Sequence, residues 1–211
     1  MELQLALDLI TLEEGKKVVA AVKDYIDILE LGTPFSYANP ISEVKEFKEL
    51  LPGIKILSDF KIMDGGREIA ELAYSNGADL TTVSARTWDD TIKQAIACAR
   101  EYGREILVDL MGVPEEQIAE RALEVDAMKP DYICVHRAVT VEGSESPEEP
   151  LRKVREVVKN AKVAVAGGIN CETLKRVVSC NPDLVIVGSS IALAKDPVAV
   201  VKEMRRIMEG K

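Results

Sequence analysis

Histidine is almost missing from this 211-residue chain; His136 is the only one. Any role needing an unperturbed side chain that titrates near neutrality therefore falls on one residue. Cysteine is sparse too. Cys98, Cys134, Cys171 and Cys180 show no CxxC or other close metal spacing, which gives no support to a zinc or disulfide role. Cys98 falls in a helical pattern and Cys134 in an apolar strand, so both read as buried thiols. No apolar run approaches the roughly 20 residues that span a bilayer, and no membrane partner is expected. The opening MELQLALDLI has an acid where a signal peptide carries bases, and it lacks a small-residue cleavage site. It reads as a first strand, with the cytoplasm as the expected compartment. Excess positive charge is also lacking: Lys and Arg number 27 against 36 Asp and Glu, a net charge of -9. That argues against a nucleic-acid partner while leaving room for a local phosphate site. Aromatic residues make up 4% of the chain, and Trp88 and the methionines read most simply as packing. No Pro/Ser-rich linker interrupts the sequence, so residues 1–211 are expected to form one domain.

What is present is an alternation. Short β-branched apolar runs occur at Glu2–Asp8, Tyr25–Leu31, Ile54–Asp59, Asp79–Val83, Glu105–Leu110, Tyr132–His136, Lys162–Ala166 and Leu184–Val187. Amphipathic helical stretches follow them, over Leu12–Lys23, Ser42–Leu51, Arg67–Asn76, Asp89–Tyr102, Glu115–Met128, Pro147–Asn160, Glu172–Ser179 and Pro197–Glu209. Asn76-Gly77 and Tyr102-Gly103 mark helix ends. Eight such units imply parallel strands joined by right-handed crossovers, closed into a (β/α)8 TIM barrel. A doubly wound open sheet competes, but it normally has fewer strands, and the glycine-rich turn after the first strand is missing. Glu142–Pro150 reads as the one long loop or lid.

In such a barrel, chemistry gathers at the C-terminal ends of the strands. Asp8 ends the first strand, Glu30 stands at the end of the second, Asp59 ends the third with Lys61 just beyond, and His136 ends the sixth. Gly167-Gly168 follow the seventh strand, and Gly188-Ser189-Ser190 the eighth. Alternation sharpens this: Leu3, Leu5 and Leu7 share one face and should meet helices, leaving Gln4, Ala6 and Asp8 on the inner face. Asp59 and Lys61, two apart, can point the same way and keep each other ionised. Each residue has a plainer reading. Asp8 or Asp64 could cap a helix, Asp109 could hydrogen-bond within the barrel, and Arg137 could be either solvated or an anion ligand. Together, Glu30 and Asp59 suit a hard divalent cation such as Mg2+. The paired glycine turns, with Ser189, suit a phosphate held by backbone N–H groups. A phosphosugar enediolate fits that set, with Lys61 adding positive charge and His136 as the base.

These residues resemble a known family. Leu5-Ala6-Leu7-Asp8, Glu30-Leu31-Gly32-Thr33-Pro34, Asp59-Phe60-Lys61-Ile62-Met63-Asp64-Gly65-Gly66 and Val135-His136 are similar to the 3-hexulose-6-phosphate synthases. So are Val165-Ala166-Gly167-Gly168-Ile169-Asn170 and Val185-Ile186-Val187-Gly188-Ser189. The synthases belong to the orotidine monophosphate decarboxylase superfamily, with 3-keto-L-gulonate-6-phosphate decarboxylase as a close relative. The resemblance implies a homodimer with active sites shared across its interface. Glu30 and Asp59 would match the Mg2+ ligands, Lys61 the residue beside the enediolate, and Asp64 a residue lent to the partner's site. Asp8 and His136 would match further site residues. The implied reaction condenses ribulose 5-phosphate with formaldehyde, reversibly. Orotidine monophosphate decarboxylase itself has lysine where Glu30 stands. Arg137 after His136 is shared with the gulonate-phosphate decarboxylase, but Val139 and Ser189 replace two of that enzyme's arginines. A decarboxylase, or a barrel that binds a phosphometabolite without turning it over, are the alternatives.

Overall fold

The computed structural model describes residues 1–8, 10–137 and 147–210. Most of the expected Glu142–Pro150 loop lies outside the described residues. Eight parallel strands close in sequence order: β1 (Glu2–Leu7), β2 (Ile28–Leu31), β3 (Lys55–Ile62), β4 (Leu80–Ser84), β5 (Glu105–Asp109), β6 (Tyr132–His136), β7 (Lys162–Ala166) and β8 (Leu184–Val187). Closure pairs β8 with β1, Leu184 standing opposite Glu2. Outside run α1 (Leu12–Val22), α2 (Thr33–Ala38), α3 (Glu43–Leu50), α4 (Gly66–Ser75), α5 (Asp89–Glu101), α6 (Ile118–Ala127), α7 (Glu148–Val157), α8 (Cys171–Val178), α9 (Ser189–Ala192) and α10 (Pro197–Met208). This is the expected (β/α)8 barrel.

Local chemistry explains the boundaries. Thr11 and Glu14 form a capping box at the start of α1, and Asn170 with Thr173 does the same for α8. Two strand boundaries and two helices stand out against expectation. Strand β2 starts at Ile28 rather than Tyr25, because Lys23–Tyr25 forms a 3-10 turn after α1. Helices α2 and α9 were not expected; at six and four residues they are too short to display a helical period. Strand β3 continues beyond Asp59 to Ile62, for a reason that belongs to the site.

The strand faces separate as alternation requires. Leu3, Leu5 and Leu7 join the helices in the outer core. Ala6, Ile28, Leu57, Leu80, Leu107 and Leu184 fill the barrel interior. The inner face of β1 therefore leads through Gln4 and Ala6 to Asp8 at the mouth.

The opposite end is stitched by a repeat. Asp27, Asp79, Asp131 and Asp183 each precede an even-numbered strand, at intervals of 52 residues. Each carboxylate accepts the backbone N–H of a residue on the preceding strand: Leu3, Ile56, Ile106 and Val163, at 2.7, 2.9, 2.9 and 2.8 Å. The odd strands start with Glu2, Lys55, Glu105 and Lys162, which pair across the floor as Lys55–Glu105 and Lys162–Glu2. The barrel is thus four β/α/β/α quarters with a common anchor. Anchoring of this kind at the N-terminal end serves stability, and it leaves the opposite rim for chemistry.

All four cysteines are free, and Cys98, Cys134 and Cys180 are buried. Among the described residues no helix is long and apolar enough to cross a membrane.

Candidate active site

The site grows from an irregularity between β3 and β4. Their register runs Leu57↔Leu80 and Ser58↔Thr81, then resumes at Ile62↔Val83. Strand β3 therefore spends two more residues than β4 over the same interval, which is a bulge. Lys61 absorbs the turn at φ 43°, in the left-handed region. For a non-glycine residue that costs about 1–2 kcal/mol, so the surrounding contacts must hold it.

Those contacts converge on Asp59. Thr82 donates its hydroxyl to Asp59 Oδ1 at 2.6 Å and accepts the Lys61 N–H at 2.8 Å. Thr33, in the first turn of α2, donates to Asp59 Oδ2 at 2.7 Å. Lys61 Nζ lies 3.0 Å from Asp59 Oδ2 and 3.0 Å from Asp109 Oδ2. Asp109 Oδ2 also meets His136 Nδ1 at 2.8 Å, and its Oδ1 accepts the Met111 N–H. On the next strands, Gln4 Nε2 donates to Glu30 Oε2 at 2.5 Å. Gln4, Glu30, Asp59, Lys61, Thr82, Asp109 and His136 line one cavity at the centre of the rim.

Charge in this cavity is unbalanced. Glu30, Asp59 and Asp109 are buried, with half-buried Asp8 beside them. Burial, then the charges of Asp59 and Asp8, pushes the Glu30 carboxyl well above its ordinary range. Asp8 is raised in the same way, by burial first and Asp59 second. Burial by itself would lower the Lys61 ammonium, but Asp109 and Asp59 outweigh it and raise the pKa. Burial likewise opposes ionisation of Asp109; His136, Lys61 and the Met111 amide overcome it and hold its carboxyl at about 2. Four acids thus share one lysine and one histidine.

That excess, with oxygen ligands on neighbouring strands, fits a hard cation held by Glu30 and Asp59. Among the described residues no three or more His, Cys, Asp or Glu side chains are grouped so as to hold a metal ion by themselves. Two carboxylates leaving the remaining positions to water and substrate is the pattern Mg2+ accepts. The buried Gln4 Oε1, without a hydrogen-bond partner, adds an unused acceptor to the same wall.

The expected residues separate into two groups. Asp8, Glu30, Asp59, Lys61 and His136 come together. Gly32 and Gly188 border Asp8; a Cβ on Gly32 would stand 2.1 Å from Asp8 Oδ1, and one on Gly188 3.3 Å from Oδ2. Gly167 lies against Arg137: its φ is 95°, and a Cβ would approach the Arg137 carbonyl oxygen to 2.1 Å. The adjacent pairing of β7 and β8 brings Gly167-Gly168 and Gly188-Ser189 to the same side of the rim. Asp64 stands apart, exposed, with Oδ1 accepting the Gly65 N–H at 2.8 Å.

Trp88 corrects an expectation. It is not packed within the chain but 83% exposed, and Tyr37 (85%) and Met63 (55%) are exposed with it, after three consecutive strands. Alternation puts Gln4 on the inner face without giving it a role, and Thr33 and Thr82 have no expected role at the site. Alternation from Leu80 to Thr82 on β4 carried the signal for the last of these. Asp109, expected as a strand-end acid whose plainer role is a hydrogen bond within the barrel, links Lys61 to His136.

The Orotidine 5'-phosphate decarboxylase / HUMPS family matches residues 1–204. A 3-hexulose-6-phosphate synthase from Staphylococcus aureus is 43% identical over 212 aligned positions, covering 100% of both chains. The crystal structure of a 3-hexulose-6-phosphate synthase from Salmonella typhimurium superposes with a TM-score of 0.95 at 35% identity, covering 100% of this chain and 99% of that one. KGPDC from Streptococcus mutans has a TM-score of 0.86 at 24% identity over 99% and 97% of the two chains, a likeness of fold alone.

Proposed function

Because the chain belongs to the Orotidine 5'-phosphate decarboxylase / HUMPS family, we propose that it is a 3-hexulose-6-phosphate synthase. It is an aldolase-type lyase that joins ribulose 5-phosphate to formaldehyde, reversibly, through a Mg2+-stabilised enediolate. The observation that carries this reading is the chain Asp59–Lys61–Asp109–His136, set beside Glu30 at the strand ends. A full-length likeness to a curated synthase supports the choice of substrate.

His136 is the base. Its Nδ1–H donates to ionised Asp109, which leaves Nε2 as the acceptor. Nε2 takes the C1 proton of ribulose 5-phosphate; C1 and C2 become the enediolate carbons, and C1 attacks formaldehyde. As the C–C bond forms, the carbonyl is restored on the former C2, which is C3 of the hexulose phosphate, and the formaldehyde oxygen takes up a proton. When bound at Glu30 and Asp59, Mg2+ supplies Lewis-acid stabilisation for the negative oxygens. Lys61 directs a fixed positive charge at the same region, because two acids restrain its ammonium. Asp8 accepts a hydrogen bond from a sugar hydroxyl at the mouth. Gly167, Gly168, Gly188 and Ser189 offer backbone and hydroxyl donors to the phosphate, with Arg137 beside them.

A homodimer completes the reading. Tyr37, Met63 and Trp88 are exposed beyond three consecutive strands, with Asp64 directly following Met63; a second copy covering them would take Asp64 into its own site. The reading carries with it a cytoplasmic location.

The test is a paired assay, with and without EDTA. One arm supplies ribulose 5-phosphate and formaldehyde, the other 3-keto-L-gulonate 6-phosphate. EDTA-sensitive formaldehyde consumption that outpaces CO2 release is expected. The His136-Arg137 pair is what favours the decarboxylase as second reading, and faster CO2 release would establish it. Phosphosugar binding with no turnover in either arm would leave a non-catalytic barrel.

A further inference from the structure

Thr82 has no assigned part in the reaction, yet one hydroxyl group meets both halves of the charge pair. It is buried, on β4, where the register with β3 slips. The slip takes Lys61 out of the regular ladder, and its N–H turns to Thr82 Oγ1 instead, at 2.8 Å. The hydroxyl hydrogen is directed the other way, to Asp59 Oδ1 at 2.6 Å. A hydroxyl has one hydrogen and two lone pairs, so these two bonds assign its polarity: it accepts from Lys61 and donates to Asp59. Each bond constrains something the chain does not hold by itself. The first holds Lys61 at φ 43°, a conformation that a lysine backbone does not choose alone. The second fixes the rotation of the Asp59 carboxylate, whose other oxygen is held by Thr33.

We propose that Thr82 is a positioning residue, a clamp that sets the Lys61 ammonium and the Asp59 carboxylate in one geometry through the bulge of β3. This rests on the synthase reading only for the identity of the reaction it serves. The clamp needs a hydroxyl, and neither shape nor apolarity substitutes for it. Valine matches threonine in shape and loses both bonds, whereas serine keeps both.

Thr82→Val and Thr82→Ser are compared with the wild-type protein, after far-UV circular dichroism has confirmed the fold of each. Groups that orient metal ligands typically cost about 10–100-fold in affinity or activity when removed, and that range is expected for kcat in Thr82→Val. Mn2+ affinity, measured by EPR titration, should fall in parallel, while KM for ribulose 5-phosphate changes little. Thr82→Ser should recover most of both losses. The Lys61 amide, followed by NMR hydrogen exchange, should lose protection in Thr82→Val and keep it in Thr82→Ser. Wild-type kcat and Mn2+ affinity in Thr82→Val would overturn the clamp. So would a serine variant as impaired as the valine one, since the methyl packing would then be what matters. Failure of the synthase reading looks different: the wild type would be silent with formaldehyde, yet the Lys61 amide would still separate valine from serine. An amide that exchanges alike in all three proteins removes the clamp whatever the substrate is.

Discussion

Replacing Lys61 by methionine tests the charge arrangement at its centre. Methionine keeps the unbranched stem and removes the ammonium that lies 3.0 Å from Asp59 and 3.0 Å from Asp109. Stripping one partner from a buried ion pair costs about 3–5 kcal/mol, because the other charge stays buried. Here both acids retain help. Asp59 keeps the hydroxyls of Thr33 and Thr82, and Asp109 keeps His136 and the Met111 N–H. Lys61 is also a quarter exposed, so water reaches the gap it leaves. The loss is therefore expected at or just below the lower end of that range, about 2–3 kcal/mol. For a chain of this length that corresponds to a fall of roughly 4–12 °C in Tm. The assay is thermal unfolding followed by circular dichroism in EDTA, at neutral pH. Adding Asp59→Asn to Lys61→Met should cost much less than the two single losses combined, because it removes one stranded charge. A Lys61→Met protein that melts with the wild type, with no coupling in the double variant, would refute this electrostatic account of the site.

Two further predictions concern the same rim. Asp109 has its carboxyl lowered from 3.8 to about 2 in the folded chain, so its contribution is present in full above about pH 4 and is lost as pH falls towards 2. Asp109→Asn should cost about 2 kcal/mol near neutrality, with the gap to wild type narrowing over that acid range; a gap in urea midpoints that stays constant down to pH ~2.5 would contradict it. For the proposed dimer, a chain carrying Asp64→Ala mixed with one carrying Lys61→Ala should regain part of the activity in isolated heterodimers. No recovery there would place Asp64 outside a shared site.

How far the sequence discloses this molecule depends on the range of the interaction concerned. Leucines at 3, 5 and 7 placed Asp8 on the inner face by alternation alone, and the strand-end rule then gathered Glu30, Asp59, Lys61 and His136. Both are local patterns laid on one topology. The bulge in β3 is different, since it exists only in the register between two strands, and the left-handed Lys61 gives no sign of itself in residue type. Asp109 reads as an ordinary strand-end acid until Lys61 and His136 arrive from other strands. Helix α2 is too short to show a period, although Thr33-Pro34 is a reasonable helix start. Exposed Trp88 misleads because an aromatic residue suggests packing, and residue type alone does not report exposure. The anchors Asp27, Asp79, Asp131 and Asp183, by contrast, were open to view in their constant spacing and needed only a search for a period twice that of one β/α unit.

Formation of the enediolate is the step on which the account depends, and it can be observed without formaldehyde. The protein, loaded with Mg2+, is incubated with ribulose 5-phosphate in deuterium oxide, and the C1 proton is followed by NMR. Wash-out of one C1 hydrogen is expected in the wild type. His136→Gln should slow it by about 100-fold or more, as loss of a general base does. A wild-type protein that leaves C1 untouched, or a His136→Gln variant that exchanges it as fast, would contradict the assignment of this rim as an enediolate-forming site.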